Sequence, residues 1–133
     1  MANAAPRILL VDDDPSNLFL LEELLLCEGY ISQLAASGSE ALAIAAESIP
    51  DLILLDVMMP VMDGFEVCCR LREDVGFQGI QVIFRTALDD DDSRLRGLVL
   101  RGDGYLRKPI NSRLLLAKIG KVLLLNQCGS NKV

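Results

Sequence analysis

The stretch DLILLDVMMPVMDG, residues 51–64, decides how this chain is read. Leu52, Ile53, Leu54 and Leu55 form an unbroken apolar run, which suits a strand covered on both faces better than one with a wet side. The run stops at a carboxylate, Asp56, and the chain continues through Val57, Met58 and Met59 into Pro60. No His occurs anywhere in the sequence, and no second acid adjoins Asp56. A buried strand that ends on an acid needs a partner for that acid, and the partner has to come from elsewhere in the chain.

Working outward, the same pattern recurs. RILLV (7–11) is a second short apolar run, and it ends in Asp12, Asp13 and Asp14. Asp14 before Pro15 suits the cap and first turn of a helix, continued by the helically spaced apolar residues of NLFLLEELLLCEGY up to Gly29. ISQLAAS reads as a weaker strand, and Ser37 with Glu40 has capping-box spacing before ALAIAAE, which Pro50 closes. DGFEVCCRLRED reads as a helix, QVIF (81–84) as a strand that runs on through Arg85 to Thr86, and DDDDSRLRGLVLR as a helix opened by Asp89–Asp92. GYL (104–106) is a short fifth strand leading into Lys108 and Pro109, and residues 110–126 form a last helix. Strand followed by helix, five times over, predicts an α/β fold with a parallel sheet and helices on both faces. The doubly wound, flavodoxin-like order 2-1-3-4-5 fits, with sites at the carboxyl ends of the strands; on pattern alone the order 3-2-1-4-5 stays open.

Composition narrows the functions. The chain has 133 residues, 51% of them apolar and 24% charged, which fits one globular domain with a real core. Charges or turn residues break every apolar run well short of about 18 residues, so no membrane span is expected. The N-terminus does not read as a secretory signal. Cys27, Cys68, Cys69 and Cys128 make no C-x-x-C pair, and without His a tetrahedral zinc site is not expected; reduced thiols and a cytoplasmic location are. The net charge of −6 argues against a nucleic-acid domain. It is unevenly spread: residues 1–66 carry 12 acids against Arg7 alone, residues 67–133 carry 12 bases against seven acids. The basic half suits either a protein partner or simple solvation.

Four strands therefore bring Asp12 and Asp13, Asp56, Thr86 and Lys108 to one edge of the expected sheet. Carboxylates about 4 Å apart repel by roughly 4 kcal/mol at an effective dielectric of 20, so such a cluster calls for a cation. All-oxygen ligands select a hard ion such as Mg²⁺, which also takes phosphate oxygens readily. Asp56 can then act as a nucleophile at phosphorus, with Lys108 and Thr86 taking two of the transferred oxygens and Mg²⁺ the third.

ILLVDDDPSN, LLDVMMPVMDG, TA and GYLRKP together resemble the receiver domain of two-component response regulators, the chemotaxis-regulator-like fold, over about residues 6–126. The resemblance implies a single receiver domain spanning 1–133 with a short C-terminal tail. It implies phosphoryl transfer onto Asp56 from a sensor histidine kinase or a phosphotransfer protein, with Mg²⁺ as cofactor. Asp13 would ligate Mg²⁺ directly, Asp12 through water, Asp56 as well, and Met58 through its backbone carbonyl. Thr86 and Lys108 would contact the phosphoryl group, Lys108–Pro109 would be a cis peptide, and Tyr105 would move with Thr86. Output would pass through the surface of the fourth helix, fifth strand and fifth helix to a protein effector or an output domain outside this chain, and a weak homodimer is compatible with it. Such a protein is a signalling switch that catalyses only its own phosphorylation and dephosphorylation.

Some residues depart from the family's pattern. Arg85 stands where an apolar residue is usual, and it should either snorkel out or pair with an acid such as those at 89–92. Arg101 and Gly104 weaken the case for a dimer of the transcription-factor kind. Met58 and Leu88 are apolar two positions beyond Asp56 and Thr86, where they would hinder a hydrolytic water. Two rivals fit less well: a haloacid-dehalogenase-like phosphatase wants a second acid where Met58 stands, and a degenerate receiver kept as an interaction module would have lost Asp56 or Lys108.

Overall fold

The protein is described by a computed structural model covering residues 5–77, 79–86, 104–107 and 111–130. Strand β1 (Arg7–Val11) is followed by helix α1 (Pro15–Cys27), β2 (Ile31–Ala35), α2 (Gly38–Glu47), β3 (Leu52–Asp56) and α3 (Gly64–Glu73). One turn of 3-10 helix (Val75–Phe77) leads to β4 (Gln81–Thr86); β5 (Gly104–Arg107) and a C-terminal helix (Ser112–Ser130) complete the described elements. That last helix starts and ends later than the expected 110–126. The helix expected around Asp89–Asp92, and Leu88, Lys108 and Pro109, lie outside the described residues, as do the side chains of Thr86 and Tyr105.

The helix ends follow local chemistry. The Asp14 carboxylate accepts the Ser16 amide at the start of α1, and Gly29, at φ +84°, ends that helix in the left-handed conformation. Ser37 caps α2 by accepting the Glu40 amide, while the Glu40 carboxylate takes the Ala36 amide. Asp63 caps α3 through the Glu66 amide at 2.9 Å.

The sheet order is β2-β1-β3-β4-β5, all pairs parallel. Strand alternation divides the core in two. Leu9, Val11, Ile53, Leu55, Val82 and Phe84 face α2 and α3, while Ile8, Leu10, Leu52, Leu54 and Ile83 face α1 and the C-terminal helix. Every residue of β3 is buried, which explains its unbroken apolar run. Since a one-residue slip would exchange the two faces, this double burial pins the register and the height at which each strand ends. Among the described residues no helix is long and apolar enough to cross a membrane. Cys27 and Cys69 are exposed free thiols, and Cys68 is buried in the core.

The turn after β3 is held close to the strand. The Gly64 amide donates to the Val57 carbonyl at 3.0 Å. A Cβ on Gly64 would lie 2.5 Å from the Asp56 carbonyl oxygen and 2.9 Å from the Val57 Cα, both of them backbone atoms that cannot step aside. Gly64→Ala is therefore expected to destabilise the fold by about 1–3 kcal/mol, the range for overpacking a filled site. Urea denaturation reads this directly, and an unchanged midpoint would mean that α3 can move away from β3 freely.

Candidate functional site

Strand alternation places the acids. Asp56 follows Leu54 by two positions and Asp12 follows Leu10 by two, so both carboxylates continue the α1 side of the sheet beyond its apolar part. Asp56 closes β3 and is 2% exposed; Asp12 follows β1 and is 1% exposed; Asp13 is exposed. One ligand oxygen from each of the three lies within 4.8 Å of the others. The acid that ends the buried strand thus has two further acids as neighbours.

Arg85 changes that balance. It pairs in register with Asp56 and continues the face of Ile83, the same face as the two buried acids. The sequence leads one to expect that Arg85 snorkels out or pairs with an acid such as those at 89–92; it does pair with an acid, Asp12, while residues 89–92 lie outside the described residues. Arg85 is only 5% exposed, and its Nη1 donates to Asp12 Oδ2 at 2.8 Å, reaching across the neighbouring strand to an acid 73 residues away. Asp12 accepts two further hydrogen bonds, from the Asp14 amide to Oδ1 at 2.9 Å and from Asn17 Nδ2 to Oδ2 at 3.1 Å. Burial acts to raise the pKa of Asp12, but the Asp14 amide, Arg85 and Asn17 together outweigh it and hold the carboxyl below its ordinary value. These contacts favour the ionised form of Asp12 and fix it in place.

Asn17 was not legible as a site residue. It lies in the first turn of α1, where a polar side chain is unremarkable, and only the return of α1 over the end of β1 brings it to Asp12.

The donor set fits a hard divalent cation. It is all oxygen, it gathers three carboxylates, and one of them faces solvent. Three hydrogen bonds occupy Asp12, against the roughly four acceptor positions a carboxylate offers. The open position is on Oδ1, and the Asp13 side chain faces solvent. Met58 is 56% exposed, two residues beyond Asp56. The backbones of Thr86, at the end of β4, and of Tyr105, paired with Phe84, stand on strands that end at the same edge. The structure therefore brings Asp12, Asp13 and Asp56 together, and Lys108 lies outside the described residues.

Comparison with known proteins agrees with this arrangement. The family model for the response regulator receiver domain matches residues 8–120. The chain is 47% identical over 113 residues to the response regulator PleD of Caulobacter vibrioides, covering 85% of this chain and 25% of that protein. It is 41% identical to the DNA-binding dual master transcriptional regulator RpaA of Synechocystis, covering 89% of this chain and 49% of that one. The chain thus spans between a quarter and about half the length of these relatives. Among solved structures, a receiver domain protein of Methanospirillum hungatei matches with a TM-score of 0.90 at 31% identity, covering 95% of this chain and 99% of that one. Chemotaxis protein CheY4 of Vibrio cholerae matches with a TM-score of 0.86 at 33% identity, covering 90% of this chain and 99% of that one. With the sheet order, the acidic cluster at its edge and a family match over most of its length, the chain belongs to the response regulator receiver domains of two-component signalling.

Proposed function

We propose that this receiver accepts a phosphoryl group on Asp56 with the help of Mg²⁺, and that the modification alters its output surface. The observation that carries the reading is the convergence of Asp12, Asp13 and Asp56 within 4.8 Å, with Asp56 held at the end of the central strand. Mg²⁺ would be held by Asp13 directly, by Asp12 through water, by Asp56 and by the Met58 carbonyl, and when bound it would neutralise charge on the transferred group. An Asp56 oxygen attacks phosphorus, a P–O bond forms, and the P–N bond to the donor's histidine breaks with its electrons remaining on nitrogen. Lys108 and Thr86 each neutralise or hydrogen-bond one phosphoryl oxygen, and Tyr105 follows Thr86 inward.

The donor in this reading is a sensor histidine kinase or a phosphotransfer protein, and the chain acts in the cytoplasm as a single domain. The sequence from Arg94 to the C-terminus holds nine of the 13 bases, opposed only by Asp103, and suits an acidic effector or output domain or a weak homodimer. Phosphatase chemistry lacks support, because Met58 stands where a second acid would be needed. To take such a switch from about 1:99 to 99:1, phosphorylation must favour the active state by roughly 5.5 kcal/mol. A few charge-assisted hydrogen bonds at about 1.5–3 kcal/mol each suffice.

Three outcomes follow from this mechanism. Treatment with acetyl phosphate and Mg²⁺ adds one phosphoryl group by intact mass, none without metal and none in Asp56→Asn; labelling of that variant at the wild-type level would move the acceptor elsewhere.

Replacing Met58 and Leu88 with Asn or Glu speeds loss of the phosphoryl group, because polar side chains hold and orient the attacking water. Phosphate release after removal of the donor measures the rate, and an equal or slower rate would exclude this role.

Thr86→Ala still takes the label but loses most of the response in residues 94–121. NMR shifts with and without beryllofluoride report it, and full wild-type shifts in the variant would remove Thr86 from the relay.

A further inference from the structure

The proposed metal site already contains a cation. Arg85 is buried on the same face as Asp12 and Asp56, and its guanidinium lies 2.8 Å from Asp12 Oδ2. It is also the register partner of Asp56, and its own carbonyl accepts the Val57 amide at 2.9 Å. A single residue therefore ties the ends of β1, β3 and β4 together.

From these contacts we infer that Arg85 is the built-in counter-cation of the acidic cluster: a positioning residue that holds Asp12 while the metal is absent and lowers the affinity of the site for a divalent ion. The inference rests on the reading of Asp12, Asp13 and Asp56 as a metal site. The three carboxylates carry a formal charge of −3, and pairing with Arg85 offsets one unit of it. The guanidinium also occupies Oδ2 of Asp12, so a metal ion reaches Asp12 only through Oδ1 or by displacing Arg85. Both effects weaken binding of a second cation. Both also stabilise the metal-free fold, by offsetting repulsion that nothing else among the described side chains at Asp12 neutralises.

These two effects have opposite signs, and that separates the inference from a merely structural role. Arg85→Met should bind Mg²⁺ at least about tenfold more tightly, as expected for removing one positive charge about 6 Å from a divalent ion even at the dielectric of water. Its thermal midpoint in EDTA should fall, and the rise in midpoint on adding Mg²⁺ should exceed that of the wild type. Arg85→Lys keeps the charge and should remain near the wild-type affinity. Isothermal titration with Mg²⁺ alone and thermal melts with and without EDTA supply both readouts. In the unmodified protein, the Arg85 Nε–H resonance should shift on titration with Mg²⁺, a measurement that does not depend on any variant folding. Equal or weaker Mg²⁺ binding by Arg85→Met, or an Arg85 resonance indifferent to Mg²⁺ in a protein that binds it, overturns the role of Arg85 and leaves the metal site standing. If neither the wild type nor Arg85→Met binds Mg²⁺, the metal site itself is wrong and the inference falls with it.

Discussion

Negative charge gathered at the carboxyl edge of the sheet is the constraint around which the rest of this molecule is arranged. Asp12, Asp13 and Asp56 bring oxygens within 4.8 Å of one another, and two of the three residues are almost fully buried. Repulsion of that kind would open the edge if the strands could slide or splay. They cannot do so cheaply, because β1 and β3 are packed on both faces, Ile8, Leu10, Leu52 and Leu54 against one helix layer and Leu9, Val11, Ile53 and Leu55 against the other. The apolar core thus holds together a group of charges that would otherwise disperse, with Arg85 paired to one of them.

The connection after β3 is built to the same end. Met58 and Val61 project into solvent, and Val61 has φ +69°, a left-handed conformation that is unfavourable for a β-branched residue. The Met62 amide closes this tight turn onto the Pro60 carbonyl at 2.7 Å, and Gly64 then sits directly over the end of β3. Phe65 follows and packs on Phe84 of β4, with ring centroids 5.2 Å apart. Strain in this turn is compensated by close docking of α3, which fixes the backbone on either side of Asp56.

Much of this was legible in the sequence. The continuous apolar runs of β1 and β3, the caps at Asp14 and Ser37 and the glycine after α1 are local signals, and the elements follow them closely. Asp12, Asp13 and Asp56 could be nominated because each lies at the end of such a run. Arg85 could be recognised as anomalous but not explained. Its partner lies 73 residues away, and its reach over Asp56 to Asp12 depends on β3 lying between β1 and β4. Asn17 gave no signal at all, since a polar residue in a first helical turn is ordinary.

The sequence by itself determined the kind and order of the elements, the faces the strands bury and the acids that end them, because these depend on side-chain periodicity and on residues close along the chain. Only the tertiary structure decided which strands are neighbours and which cation lies among the acids. Strand order sets distances between residues far apart in sequence, and the pairing of Arg85 with Asp12 depends on those distances and on burial, neither of which is a property of any local stretch.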